Sequence, residues 1–290
     1  MTYLRNFLLS IILFVASVSW AFGQSADGVV RVLAIGNSFS EDAIEQYLHE
    51  LGVAAGKEMV VGNLYIGGAP LSLHWDNVLG DKAAYRYRKT EVDGEKYSEE
   101  NVSIRTALAD EPWDYISVQQ ASPLSGRFEF YEKPLAGLFG YLKGATDGRA
   151  SVIWHQTWAY SANSTHDGFA HYDRDQLTMY QAIMDASKQA TEWVPIDLLV
   201  PAGTAIQNAR TSFIGDNLTR DGYHLDLHIG RFIAACTWFE ALFGEQAPVD
   251  KYRPEKVSPA EAEVARQAAH AAVNHPFTVT SLVEEPVGHN

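Results

Sequence analysis

The sequence predicts an α/β fold, a parallel β-sheet covered by helices on both faces. Short apolar runs at 29–35, 59–66, 115–118, 150–154 and 195–200 alternate with longer stretches of helical spacing, the pattern of βαβ units. The first run is nearly continuous in apolar residues, as a strand buried on both faces requires. Ser38, Gly68, Gln119 and His155 each follow one of these runs. A parallel sheet gathers the carboxyl ends of its strands along one rim, where such folds bind their ligands.

Taken in order, the first run leads into a helix over 42–55, with Ile44, Leu48 and Leu51 on one face and Gly56 as its stop. The second run ends in Gly67-Gly68, and Pro70 precedes a short helix over 71–79. The polar stretch 85–103 carries the turn signal Asp93-Gly94, which predicts a surface hairpin or excursion over 80–103. Helices follow over 132–143 and, long and amphipathic, over 173–191. After a short last strand come helices over 202–209, 229–243 and 259–273. Residues 24–290 form one domain of ordinary size, able to bury a large core.

Residues 1–23 stand apart as a secretory signal peptide. Arg5 gives a positive start, 7–18 is apolar, and Ala21-Phe22-Gly23 places small residues at the −3 and −1 positions of a cut before Gln24. The apolar run is short for a membrane span, so the expectation is a periplasmic or secreted protein with no stable membrane insertion after cleavage. The single cysteine, Cys236, excludes an intrachain disulfide and lies in an apolar stretch, as an inert core residue. The formal charge of −14 opposes nucleic acid and anionic lipid and suits neutral partners.

Three residues carry hydrolytic chemistry. A serine hydroxyl is a poor nucleophile until a base takes its proton, and a histidine is that base when a carboxylate fixes its tautomer. Ser38 follows the first strand in Gly36-Asn37-Ser38-Phe39-Ser40, and Asp221-Gly222-Tyr223-His224 supplies acid and base from one loop. The oxyanion of an acyl-transfer intermediate also needs donors. Candidates are the backbone N–H of Ser38, a glycine N–H at Gly68 or Gly67, and the side-chain amide of Gln119 or Gln120. The plain alternatives are that Ser38 caps a helix, that Asp221 and His224 lie in a solvated loop, that the glycines form a turn, and that the glutamines bond a strand end. Asp226 and His228 are nearby rivals, better suited to the start of the following helix.

His155 reads as a wall of the substrate pocket or as a structural histidine. A metal role with His166, His171 or Asp173 lacks any His-x-Glu-x-His or Cys-x-x-Cys spacing, and neither a metal nor an organic cofactor is expected. Trp75, Trp154, Trp158 and Tyr160 are candidates for stacking on sugar rings or for simple core. Gln120, His155 and Trp158 are taken as the substrate-binding set.

The chain resembles the SGNH (GDSL-like) hydrolase superfamily. The first block is similar to Gly36-Asn37-Ser38-Phe39-Ser40, the second to Tyr65-Ile66-Gly67-Gly68-Ala69, and the last to Asp221-Gly222-Tyr223-His224 followed by Gly230. The usual third block, Gly-x-Asn-Asp, is replaced by Val118-Gln119-Gln120-Ala121-Ser122. That departure, with His155-Gln156-Thr157-Trp158-Ala159-Tyr160, resembles a secreted bacterial branch catalogued mainly as a domain of unknown function. The resemblance spans roughly residues 29–243. It implies a three-layer α/β/α fold of the flavodoxin-like type and ester hydrolysis through an acyl-serine. It further implies an acylated carbohydrate or other small ester as substrate. The rival readings are a non-catalytic glycan-binding protein on the same scaffold, an acyltransferase and, at the outside, a metal phosphoesterase.

Overall fold

The sheet is built from β1 (Val30–Gly36), β2 (Met59–Tyr65), β3 (Tyr85–Thr90), β4 (Lys96–Val102), β5 (Tyr115–Val118), β6 (Ser151–His155) and β7 (Leu198–Val200). The computed structural model describes residues 27–282, so the leader expected at 1–23 lies outside the described residues. The strand order is β4-β3-β2-β1-β5-β6-β7. From β2 to β7 all neighbours are parallel, while β3 and β4 continue the sheet antiparallel beyond β2. The sheet is therefore mixed.

The polar segment expected as a surface hairpin or excursion over 80–103 is this antiparallel hairpin, paired onto β2. Its inward residues Tyr85, Tyr87 and Lys89 are buried, and Lys89 pairs with Glu91, Asp110 and Glu111 at 2.9, 2.8 and 3.1 Å. The outer strand β4, with Lys96, Glu99 and Glu100, is exposed along its length until Val102. A charged outer strand also blocks edge-to-edge pairing with another chain.

Side chains alternate across β1, so one strand feeds two cores. Val30, Val32 and Ala34 pack with α1 (Ser38–Ile44), α2 (Leu48–Ala54), α7 (Ala202–Arg210), α8 (Ile229–Phe243) and α9 (Pro259–Asn274). Leu33 and Ile35 pack with α3 (Leu71–Leu79), α4 (Ile104–Asp110) and α5 (Glu132–Ala145). The helix α6 (Gln176–Trp193) supplies Met179 and Ile183 to the first core and Ala186 and Ala190 to the second. This is the expected α/β/α layering. Cys236 is buried in the first core. Among the described residues no helix is long and apolar enough to cross a membrane.

Two helical expectations differ from what is observed. The single helix over 42–55 is two, because the chain breaks around Tyr47, which takes a left-handed φ of 72°. The break lets Glu45 reach Asn63 and Arg88 while the Tyr47 hydroxyl reaches the Leu227 carbonyl at 2.8 Å. The other is α4, which the sequence reading did not anticipate. It is a short turn of helix capped by Ser103, whose Oγ accepts from Thr106 N–H at 3.1 Å.

Two histidines lie in the cores. His74 meets the Tyr85 hydroxyl at 2.9 Å and His155 sits at the end of β6; burial pushes their pKa values down to about 4 and about 3. Unfolded histidine titrates near 6.5, so below that pH the unfolded chain binds protons the folded chain refuses. Stability should be full above about pH 6.5 and fall as the pH drops, at up to roughly 2–3 kcal/mol per unit with both rings contributing. Urea unfolding at pH 7 and pH 5.5 measures this, and equal stabilities would contradict neutral burial of the two rings.

Candidate active site

Strand order reverses on the two sides of β1, with β2 on one and β5 on the other. A crevice opens at the carboxyl ends of parallel strands at such a point. Ser38 occupies it as the first residue of α1. The turn into α1 is tight: a Cβ on Gly36 would lie 2.5 Å from Ser40 Oγ and 3.3 Å from Gln119 Cδ, so only glycine lets the ends of β1 and β5 close together. The helix is capped by Asn37, whose Oδ1 accepts from Phe39 N–H at 2.9 Å. The Ser38 hydroxyl is thereby released from capping.

That hydroxyl faces His224. Ser38 Oγ lies 2.8 Å from His224 Nε2, and His224 Nδ1 lies 2.6 Å from Asp221 Oδ2. A carboxylate only accepts, so Nδ1 carries the proton and Nε2 of the neutral ring is free to accept from the serine. Burial works against ionisation of Asp221, but the hydrogen bonds from the His224 ring and from the His224 and Tyr223 backbone N–H groups outweigh it. They hold the carboxyl below its ordinary range. The sequence-expected trio therefore meets in one row.

The row depends on a small loop. Thr219 and Leu225 bridge its base, Arg220 N–H donates to the His224 carbonyl at 2.9 Å, and Asp221 to His224 form the tip. Gly222 takes φ +92°, and a Cβ there would sit 2.9 Å from the Ser164 Cα, so the tip requires glycine. Asp226 is turned away, accepting from the His228 and Ile229 N–H groups at 2.9 Å where α8 begins. This matches the structural part foreseen for that pair.

A residue that sequence reasoning did not single out fixes this loop to α1. Asp42, four residues beyond Ser38, is fully buried. Its carboxylate takes Arg220 Nη1 at 3.0 Å, Arg231 Nη2 at 2.5 Å and the Leu225 N–H at 2.8 Å. Burial pushes its pKa up, opposed by the two arginines. Arg231 carried a legible signal, since a lone arginine in the apolar run of α8 must find a buried partner.

Beneath Ser38 lies a chain of polar side chains. His155 Nδ1 donates to Gln119 Oε1 at 2.6 Å, Gln119 Nε2 donates to Asn37 Oδ1 at 2.9 Å, and Asn37 Nδ2 donates to the Ala69 carbonyl at 2.9 Å. Gln119 is 1% exposed; one of its amide hydrogens goes to Asn37 and the other has no partner among the described residues. Gly68, in the turn that joins Ala69 N–H to the Ile66 carbonyl at 3.2 Å, is exposed.

Gln120, His155 and Trp158, the expected substrate-binding set, are enclosed in this structure, as Gln119 is. Gln120 pins the end of β5, accepting from Leu71 N–H at 3.1 Å and Ala121 N–H at 2.9 Å. His155 and Trp158 are each 0% exposed. Trp158 stacks on Phe39 at 4.2 Å between ring centres and donates Nε1–H to the Tyr223 carbonyl at 2.8 Å. It props the neighbours of Ser38 and His224. Trp154 and Tyr160 are buried too. No three His, Cys, Asp or Glu side chains converge as metal ligands among the described residues. Next to Asp221 lies a polar hollow of about 410 Å³, lined by Asn163, Thr165, Asp216, Asn217, Thr219 and Arg220.

The seven-stranded sheet with its flanking helices is a layered α/β fold with the site at the carboxyl ends of its parallel strands. The chain belongs to the family described as Domain of unknown function (DUF4886), whose sequence profile matches residues 31–272. Among solved structures it is similar to a DUF4886 family protein from Bacteroides uniformis. That match has 53% identity and a TM-score of 0.86, covering 88% of this chain and 98% of that one. It is also similar to a putative SGNH hydrolase from Slackia heliotrinireducens, with 21% identity and a TM-score of 0.51, covering 74% of this chain and 99% of that one. The second likeness bears on fold alone. No curated protein sequence matches the chain.

Removing one partner of a buried ion pair strands the other charge. Asp42→Asn keeps the shape and leaves Arg220 and Arg231 without their shared counter-ion, so urea unfolding should show a loss of about 3 kcal/mol. A loss below about 1 kcal/mol would mean the pairing does not hold the loop.

Proposed function

We propose that this chain is an exported serine esterase that removes acetyl or similar acyl groups from carbohydrates. The observation that carries the reading is the row from Ser38 Oγ through the His224 ring to Asp221, with contacts of 2.8 and 2.6 Å. In the reaction, Ser38 Oγ bonds to the ester carbonyl carbon while His224 Nε2 takes its proton. The oxyanion is met by the backbone N–H groups of Ser38 and Gly68 and by the remaining amide hydrogen of Gln119. Collapse breaks the bond to the sugar oxygen, which leaves with the proton from His224. Water then gives a proton to His224 and attacks the acyl-serine carbonyl; the bond to Ser38 Oγ breaks as His224 returns the proton to that oxygen, and the acid is released. Asp221 orients the ring and stabilises its charged form.

The carbohydrate part of the reading has two supports. The hollow beside Asp221 is lined by amide, hydroxyl and charged side chains, which suit a hydroxyl-rich ligand. The charge of −14 disfavours anionic partners. Export rests on the leader pattern of residues 1–23.

Acetate release from a panel of acetylated glycans, run with wild type and Ser38→Ala side by side, tests the proposal. Ser38→Ala should fold normally and lose at least several hundred-fold in turnover, and Asp221→Asn should fold and be impaired. Equal activity of Ser38→Ala and wild type would sink the esterase reading. Silence from both, with a short-chain aryl ester also untouched, would favour a glycan-binding protein on this scaffold.

A further inference from the structure

The connection between β6 and α6 is docked on the Asp221–His224 loop. Ser161 N–H donates to the Gly222 carbonyl at 2.9 Å, and Ala162 N–H to Asp216 Oδ2 at 2.7 Å. This connection carries His166. Its ring meets the edge of Tyr223 at 4.7 Å between centres, and Tyr223 lies on His224 at 4.1 Å. One aromatic ring therefore separates His166 from His224.

The tautomer of His166 is set by its own backbone. Nδ1 accepts the Gly168 N–H at 3.0 Å, with the Tyr160 hydroxyl at 3.4 Å from the same atom. An Nδ1 that accepts leaves the proton of a neutral ring on Nε2. Burial, aided by His224 and opposed by Asp167 and Asp221, holds the pKa below its ordinary value and keeps the ring neutral at pH 7. The ring is half-buried, and its Nε2–H has no partner among the described residues. An oriented N–H donor thus stands beside the proposed acid–base residue and is not used in the reaction outlined above.

We infer that His166 is a substrate-binding residue, donating its Nε2–H to a ring oxygen or neighbouring ester carbonyl of the sugar from which the acyl group is removed. This rests on the esterase reading and deepens it. A donor of this kind separates a sugar ester, which carries acceptors around the scissile bond, from an aryl acetate, which offers little beyond the acyl group.

Two variants divide the ring's two jobs. In His166→Asn, Oδ1 replaces Nδ1 as acceptor for Gly168 and the Nε2 donor is lost. In His166→Gln, the amide nitrogen reaches the Nε2 position and the acceptor for Gly168 is lost. The probes are glucose pentaacetate and 4-nitrophenyl acetate, with Tm measured for each protein. His166→Asn should keep its Tm and lose about tenfold in kcat/KM on glucose pentaacetate, while staying within about twofold on 4-nitrophenyl acetate. His166→Gln should lower Tm and recover most of the activity on the sugar ester. Equal losses on both esters, or no loss on either, would overturn the inference while leaving the esterase reading intact. Wild type inactive on both esters would overturn the two together, and wild type active on the aryl ester alone would overturn the sugar contact.

Discussion

The buried carboxylate of Asp42 is the constraint on which the site depends. It sits one helical turn beyond Ser38 and binds Arg220, Arg231 and the Leu225 N–H at once. Arg220 and Leu225 flank the segment that presents Asp221 and His224. Ser38 and His224 come from opposite ends of the chain, yet both are tied to one charge on α1. The Ser38–His224 contact of 2.8 Å is therefore set by an ion cluster in the core, not by the exposed tip of a loop. A low-dielectric setting makes such a cluster costly to break and so fixes geometry.

Other supports act on the serine's surroundings. Asn37 caps α1, ties it to the turn before α3 through the Ala69 carbonyl, and receives Gln119 from β5. Three strand ends are thus laced through one amide. Trp158 joins Phe39, beside the serine, to Tyr223, beside the histidine. The open face of the site is left to Ser38, Gly68 and the polar loops around Asp221. The polar residues at the rim fall into two sets, those spent inward on geometry and those turned outward to solvent.

Much of this was legible in the sequence. The alternation of apolar runs with helical periods gave the layered fold. The early serine after a strand and the late Asp-x-x-His pointed to the three residues that lie in one row, Ser38, His224 and Asp221. What was not legible was the direction in which polar side chains turn at a strand end. Gln120, His155 and Trp158 lie just past strands, where ligand contacts are common, but their partners are local backbone and core groups that spacing does not reveal. Asp42 was hidden because an acid near a helix start reads as a capping or solvated residue; only its burial with two distant arginines shows its part. The hairpin over 85–103 was legible from its Asp93-Gly94 turn, but its pairing onto β2 was not, because an edge strand is polar for the same reason an excursion is: one side of it meets water.

The central claim is that Ser38 is a nucleophile activated by His224. The most direct measurement is intact and peptide mass spectrometry after treatment with an alkyl fluorophosphonate, which transfers its phosphonyl group to an activated serine with loss of fluoride. The account predicts one adduct per chain, on the peptide bearing Ser38, and none in His224→Ala. Unlabelled wild-type protein, or labelling that survives His224→Ala unchanged, would contradict it.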